Sequence, residues 1–280
     1  MKLPPWLKKK IPNIKEISQV EKLIQNTQLH TVCKEAKCPN YLECFAKKTA
    51  TFLALGNTCT RHCLFCNIAS NKNPSPIDPK EITLIADSIK KLDIKHAVIT
   101  MVTRDDLNDG GAFHIAKIIK EIKKQNPKTT TEVLTSDFNG NQESIKTVLA
   151  EKPTIFNHNI ETVKSLTLKI RNKASYSRSL EVLSFAKSLN TSQLIKSGLM
   201  LGLGETIEEI KQTIYDLSHI GCDIITIGQY LQPSSKNIEV KRYVPLEEFK
   251  EYENYAKKLN IKKAYSGPFV RSSYNAKDFI

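Results

Sequence analysis

Thr51-Phe52-Leu53-Ala54-Leu55-Gly56-Asn57-Thr58-Cys59-Thr60-Arg61-His62-Cys63-Leu64-Phe65-Cys66 is the stretch on which the reading of this chain turns. Its first five residues form a short apolar run bounded by Gly56, which predicts a buried strand over residues 51–55. Three cysteines follow at once, in the spacing C-x3-C-x2-C, on one short loop. Three thiolates so placed can hold three irons of a 4Fe–4S cube. The fourth iron then has no protein ligand and stays open to a substrate or cofactor. A structural zinc ion would want four closed ligands. His62 could be the fourth, but it sits next to Cys63 inside the same turn. Phe65, just before the last cysteine, suits a cluster shielded from water.

Outward from this loop, short β-branched runs alternate with amphipathic segments. Strands are expected over residues 51–55, 96–102, 132–135, 154–157, 196–201 and 223–228. Helices are expected over 79–92, 111–125, 142–150, 161–168, 176–189, 206–220 and 245–259. In the first of these helices Ile82, Ile85, Ala86, Ile89 and Leu92 make the i, i+3, i+4 stripe. Strand followed by helix, repeated, implies a parallel sheet with helical crossovers. Six such units predict an α/β fold, a partial (β/α)6 barrel, with its chemistry at the C-terminal ends of the strands. The expected division is an N-terminal extension over 1–48, a barrel over 49–232 and a C-terminal extension over 233–280. Both extensions are expected to pack over the barrel mouth.

The chain has 280 residues, 40% hydrophobic and 25% charged, which is ordinary globular usage. Its longest nearly apolar stretch, near residues 198–204, falls far short of the ~20 residues of a membrane helix. The start Met1-Lys2-Leu3-Pro4-Pro5-Trp6-Leu7-Lys8-Lys9-Lys10 lacks the apolar core of a secretory signal. A cytoplasmic protein without membrane association is therefore expected. The net charge is +13. Only six of the cations are arginines, against 36 lysines. A Lys-, Asn- and Ile-rich chain is what an AT-rich genome produces, so part of the charge reflects composition. The alternative is an acidic macromolecular partner drawn in by long-range steering. No RNA-binding motif is present, so no nucleic-acid partner is expected. Where lysine is the default cation, a retained arginine does what lysine cannot, such as bidentate pairing.

Six of the seven cysteines fall within residues 33–66. With no secretion signal and a chain large enough to bury a core, this crowding points to metal rather than disulfides. The second trio is Cys33-x4-Cys38-x5-Cys44, in the segment before the barrel. Alone it could be a zinc knot or three unrelated thiols. Beside the first trio it reads as an auxiliary cluster, again with one iron left for another ligand. Cys222 stands apart and reads as a buried core thiol.

The C-x3-C-x2-C loop at the end of a first barrel strand resembles the signature of the radical S-adenosylmethionine (SAM) superfamily. Across the whole chain the likeness narrows to the lipoyl synthase family. Pro5-Trp6-Leu7, the Cys33/Cys38/Cys44 spacing and the loop Asn57–Cys66 are similar to that family. So are Thr103-Arg104-Asp105-Asp106, Phe156-Asn157-His158-Asn159-Ile160-Glu161, Tyr176-Ser177-Arg178-Ser179-Leu180 and Gly202-Leu203-Gly204-Glu205-Thr206. Gly228-Gln229-Tyr230-Leu231-Gln232-Pro233, Lys241-Arg242-Tyr243-Val244 and the tail Arg271-Ser272-Ser273-Tyr274-Asn275-Ala276 complete the match. All six arginines lie in or beside these segments.

The resemblance implies two 4Fe–4S clusters and SAM. One cluster, on Cys59, Cys63 and Cys66, would bind SAM and yield a 5′-deoxyadenosyl radical. The radical would take hydrogen from C6 and C8 of an octanoyl group in amide linkage to a carrier lysine. Sulfur would come from the cluster on Cys33, Cys38 and Cys44. A serine would be the labile fourth ligand there, since oxygen is a poor partner for such iron beside thiolate; the resemblance favours Ser273 over Ser272. The cofactor contacts it suggests are Thr103, Arg104, Asp105, Asn157, Asn159, Gly202, Gly204 and Gln229. On sequence alone, Asp105 or Asp106 could cap a helix, the asparagines could be satisfied strand-end amides, the glycines could form an ordinary turn, and Ser272-Ser273 could be a loop cap. Expected partners are an octanoylated lipoyl carrier domain (of a 2-oxoacid dehydrogenase E2 or a glycine cleavage H-type protein), an electron donor such as ferredoxin or flavodoxin, and an iron–sulfur carrier that rebuilds the spent cluster. Other sulfur-inserting radical SAM enzymes, biotin-synthase-like or acting in tRNA methylthiolation, are the nearest alternative.

Overall fold

Six strands run parallel and lie side by side in the order in which the chain makes them: Thr51–Ala54, His96–Met101, Thr130–Leu134, Ile155–Asn157, Leu194–Leu201 and Ile224–Gln229. The computed structural model describes residues 3–9, 14–47, 49–189 and 192–276. Helices Glu81–Lys91, Ala112–Gln125, Gln142–Ala150, Tyr176–Ser188 and Ile207–His219 return the chain from each strand to the next, with a shorter Lys164–Ile170 before the fourth of them. The first buries Ile85, Ala86 and Ile89 along the stripe read in the sequence. The last opens with a capping box: Glu209 N–H donates to Thr206 Oγ1, and Thr206 N–H donates to the Glu209 carboxylate. Helix stripes and strand residues such as Phe52, Ile99, Val133, Phe156 and Ile227 join in one large core.

Among the described residues the sheet does not close on itself; it is an open, partial barrel of eight strands. Six strands were expected, and two more are present. His30–Thr31 pairs antiparallel with the first barrel strand, at one edge. Lys263–Gly267 pairs parallel with Ile224–Gln229, at the other. Both escape a periodicity reading for physical reasons. The first has only two residues. The second reads Lys-Ala-Tyr-Ser-Gly and buries only Ala264, so it has no apolar alternation. Its strand character comes from the ladder its neighbour offers.

The N-terminal extension has its own small core. Ile17, Val20 and Ile24 of helix Ile14–Thr27 pack on Cys33, Phe45 and Ala50. The extensions reach the mouth through residues 36–39 and 270–273. The Cys33, Cys38 and Cys44 region packs instead near the strand starts at Thr51, His96 and Val98. The C-terminal segment runs through the barrel, where Gly198 and Gly228 leave it room, to seat Ala276 on Val98, Ile155 and Ile224.

Candidate functional site

At the C-terminal ends of the strands lies a cavity of about 340 Å³, into which Cys59, Cys63 and Cys66 all face. The loop that carries them is fixed by its own backbone. Cys66 N–H closes a turn on Cys63 O, Leu64 N–H reaches Ile170 O, and Asn71 N–H reaches Cys59 O. Asn237 adds a clamp from the C-terminal side, its amide donating to Cys66 O at 2.9 Å and Leu64 O at 3.3 Å. Burial, with the charges of Cys63 and Cys59 adding to it, pushes the Cys66 thiol up to about 12. Burial also raises Cys63. Cys63 and Cys66, raised in this way, with Cys59 beside them, are a donor set that a cationic iron centre would satisfy, since coordination deprotonates a thiol. All seven cysteines are free. Among the described residues no three His, Cys, Asp or Glu side chains converge on a point where a single metal ion would sit. Cys59, Cys63 and Cys66 line one cavity instead.

A second cavity, about 470 Å³, takes in Cys33, Cys38 and Cys44 together with Arg271, Ser273 and Tyr274. Burial, then the neighbouring Cys38, raises Cys33 to about 12 and Cys44 to about 11. Cys38, Arg271 and Ser273 line both cavities, so the two volumes meet at these residues. Ser272 faces only the first, and its hydroxyl donates to Asn159 Oδ1 at 2.8 Å. Beside the second cavity the two extensions are tied to each other. Asn40 Nδ2 donates to Phe269 O at 2.7 Å, and Tyr274 Oη donates to Glu43 at 2.6 Å. Lys9 binds Asn40 and Glu43 and lies over the Phe269 ring, 4.4 Å from its centre.

Of the expected cofactor contacts, Thr103 and Asn159 line the first cavity. The other six are engaged elsewhere. Arg104 forks onto Asp106 and donates to Leu55 O. Asp105 holds Arg61 through both Nε and Nη2. Asn157 is fully buried and donates to Glu132 at 2.9 Å. Gly202 backs onto Gln229, whose amide would lie 2.3 Å from a Cβ there, and Gly204 faces Lys241. Gln229 spends Nε2 on the carbonyls of Leu201, Tyr230 and Arg242 and its oxygen on Val244 N–H. Position at a strand end does not by itself say which way a side chain points.

Several lining residues stood in or beside the quoted motifs without being singled out. Arg61 is one: it ties the cysteine loop to Asp105, Asp137 and Asn139. Arg171 is another, buried beside Glu161 and Cys63, with Nη1 donating to Ile160 O and Ser179 Oγ. Burial raises the Glu161 carboxyl, opposed by Arg171. His158 is buried between Thr135 O and Ser179 Oγ, and burial with the charge of Arg171 pushes it down to about 4. The scarcity of arginine was the signal that could have promoted Arg61 and Arg171.

The chain matches the family model of the radical SAM superfamily over residues 53–217 and that of the N-terminal domain of lipoyl synthase over residues 1–38. Among curated proteins, the lipoyl synthase of Protochlamydia amoebophila is 51% identical over 277 residues, spanning 98% of this chain and 86% of the relative. That of Caldicellulosiruptor saccharolyticus is 48% identical, spanning 99% and 97%. Among solved structures, the FeFe-hydrogenase maturase HydG of Carboxydothermus hydrogenoformans superposes with a TM-score of 0.61 at 14% identity, covering 89% of this chain and 65% of its own. Streptococcus suis SuiB bound to S-adenosylmethionine gives 0.60 at 13%, covering 77% and 49%. At such identities the structural likeness concerns the fold alone.

Proposed function

The chain belongs to the lipoyl synthase family of the radical SAM superfamily, and from that premise we propose how its residues divide the work of placing two sulfur atoms in an octanoyl chain. The protein is an enzyme that uses SAM and two 4Fe–4S clusters. Its substrate is an octanoyl group, amide-linked to a lysine of a lipoyl carrier domain and thiolated at C6 and C8. When bound, SAM and the first cluster supply the one-electron chemistry that removes hydrogen from unactivated carbon, and the second cluster supplies sulfur.

Cys59, Cys63 and Cys66 hold the first cluster. Cys33, Cys38 and Cys44 hold the second, with Ser273 as its fourth, labile ligand. Residues 1–48, 49–232 and 233–280 divide these tasks into auxiliary-cluster carrier, radical barrel and closing segment. Thr103, Asn159 and Arg171 line the space beside the first trio, where the polar end of SAM would sit. Leu53, Met101, Leu134, Leu199 and Leu231 give the same cavity the apolar wall that an octanoyl tail needs and keep water from a carbon radical. The single observation that carries this reading is the shared wall. Cys38 and Ser273 border both cavities, so carbon activated in one lies next to sulfur held in the other. The carrier is an E2 lipoyl domain or an H-type protein, the electron donor a ferredoxin or flavodoxin, and an iron–sulfur carrier restores the spent cluster. No helix among the described residues is long and apolar enough to cross a membrane. On our reading the reaction takes place in the cytoplasm.

Anaerobic reconstitution should approach about eight iron per chain, two cubes. Replacing Cys59, Cys63 or Cys66 by Ala should abolish 5′-deoxyadenosine formation. Replacing Cys33, Cys38 or Cys44 should leave SAM cleavage largely intact and stop thiolation. Saturation near four iron, or normal lipoyl formation by Cys38→Ala, would remove the second cluster from the scheme.

A further inference from the structure

Inside the barrel lies a buried ion pair that the reaction as described does not use. Lys196 on the fifth strand and Glu132 on the third have side chains that are 0% exposed. Lys196 Nζ lies 2.8 and 2.9 Å from the two carboxylate oxygens. Asn157 donates to the same carboxylate, and His96 lies 3.6 Å from it. The ammonium also donates to the backbone carbonyl of Ser272, in a segment 76 residues away along the chain. A buried pair is a weak source of stability, and similar pairs are often replaceable by apolar residues. Its direction therefore matters more than its strength.

Two further observations aim at the same segment. A Cβ on Gly228 would lie 2.1 Å from Val270 O, and one on Gly198 would lie 2.8 Å from Ser272 Oγ. Both barrel strands are therefore free of side chain where residues 270–272 pass. Ser272 Oγ is held in turn by Asn159. Ser273 follows directly and lines both cavities. On the outer side, Tyr274 is fixed to Glu43.

We propose that Lys196 is a positioning residue for sulfur insertion: its ammonium, held by Glu132, anchors the Ser272 carbonyl so that Ser273 faces the Cys33/Cys38/Cys44 trio. The inference rests on the reading of Ser273 given above. Lys196 touches no reacting atom; it sets where the peptide carrying the serine lies. Glu132 keeps the ammonium charged and aimed, and the glycines leave the path open. The pair acts on the peptide that carries Ser273 rather than on the radical-generating loop at residues 59–66, so the two half-reactions should separate when the pair is removed.

The test uses anaerobically reconstituted holoenzyme. Glu132→Gln/Lys196→Met removes both charges together, because removing one would strand the other in the barrel. 5′-Deoxyadenosine and lipoyl product are measured in the same reaction, beside Ser273→Ala. The double variant should cleave SAM at nearly the wild-type rate, while lipoyl product per 5′-deoxyadenosine falls about tenfold, the usual scale for loss of a group that orients a ligand. In the protein without clusters, amide exchange at residues 270–276 should rise in the double variant and stay unchanged in Ser273→Ala. A wild-type product ratio in the double variant overturns the proposal whatever the exchange does, and so does an equal fractional loss of both products. If Ser273→Ala keeps the wild-type ratio, the reading of Ser273 fails and the proposal fails with it; if only the double variant keeps it, Lys196 alone is refuted. Should the Met variant not fold, Glu132→Gln/Lys196→Gln keeps hydrogen-bonding groups in the barrel, is one methylene too short to reach Ser272, and is read by the same outcomes.

Discussion

Three of the six arginines bind a carboxylate through two nitrogens: Arg61 on Asp105, Arg104 on Asp106 and Arg242 on Glu248. Lysine, a point charge, could not reproduce that fork. Arg171 and Arg271 instead donate to backbone carbonyls at the cavity walls. Composition could single these residues out but could not sort binders from braces. Asn157-His158-Asn159 makes the same point. The two amides attract notice in the sequence, yet Asn157 turns into the barrel and His158 lines the cavity. His158 Nδ1 faces Thr135 O and Nε2 faces Ser179 Oγ, so the neutral ring serves as donor and acceptor at once. Burial and Arg171 hold it near 4, below the ordinary value of 6.5. The native state therefore refuses a proton that the unfolded chain accepts. The resulting stabilisation is present above pH 6.5 and is lost as pH falls towards 4, in total on the order of 3 kcal/mol. His158→Gln should be less stable at neutral pH but show a shallower decline between pH 6.5 and 4. Urea unfolding at stepped pH measures this; an unchanged slope would show that the acid sensitivity lies elsewhere.

Elements assemble here by two different rules. The strand-and-helix alternation is local, and its periodicities were readable over residues 51–229. Helix Ile207–His219 even announces its start through Thr206 and Glu209. Thr206→Ala should cost about 1 kcal/mol through loss of the cap, with no change in hydrogen exchange at the C-terminal segment. Lys263–Gly267 and the segment after it obey the other rule: they take their shape from the last barrel strand. Gly228→Ala tests this. The new methyl would meet Val270 O, and overpacking of this kind costs about 1–3 kcal/mol. Exchange and proteolysis at residues 268–276 should rise in Gly228→Ala and not in Thr206→Ala. Equal behaviour of the two variants would mean that the segment does not depend on the glycine path.

For the whole molecule, the +13 balance is the property a partner meets first. If it steers an acidic octanoylated carrier, encounter should slow as salt shortens the Debye length from ~10 Å at 0.1 M to ~3 Å at 1 M. Stopped-flow association across that range measures it, and a flat rate would leave the charge as composition bias. The sequence alone settled the fold class, the two cysteine trios and the family, because each is written in short spacings: ligands a few residues apart on one loop, and strand and helix periods within one element. The tertiary structure decided that the two cavities share a wall at Cys38 and Ser273, that Thr103 and Asn159 line the first of them, and that the C-terminal segment runs inside the barrel. These depend on which way a side chain leaves a strand and on pairs such as Lys196 and Ser272, 76 residues apart. Local spacing carries no record of such meetings; only assembly of the open sheet and the segment threaded through it brings them together.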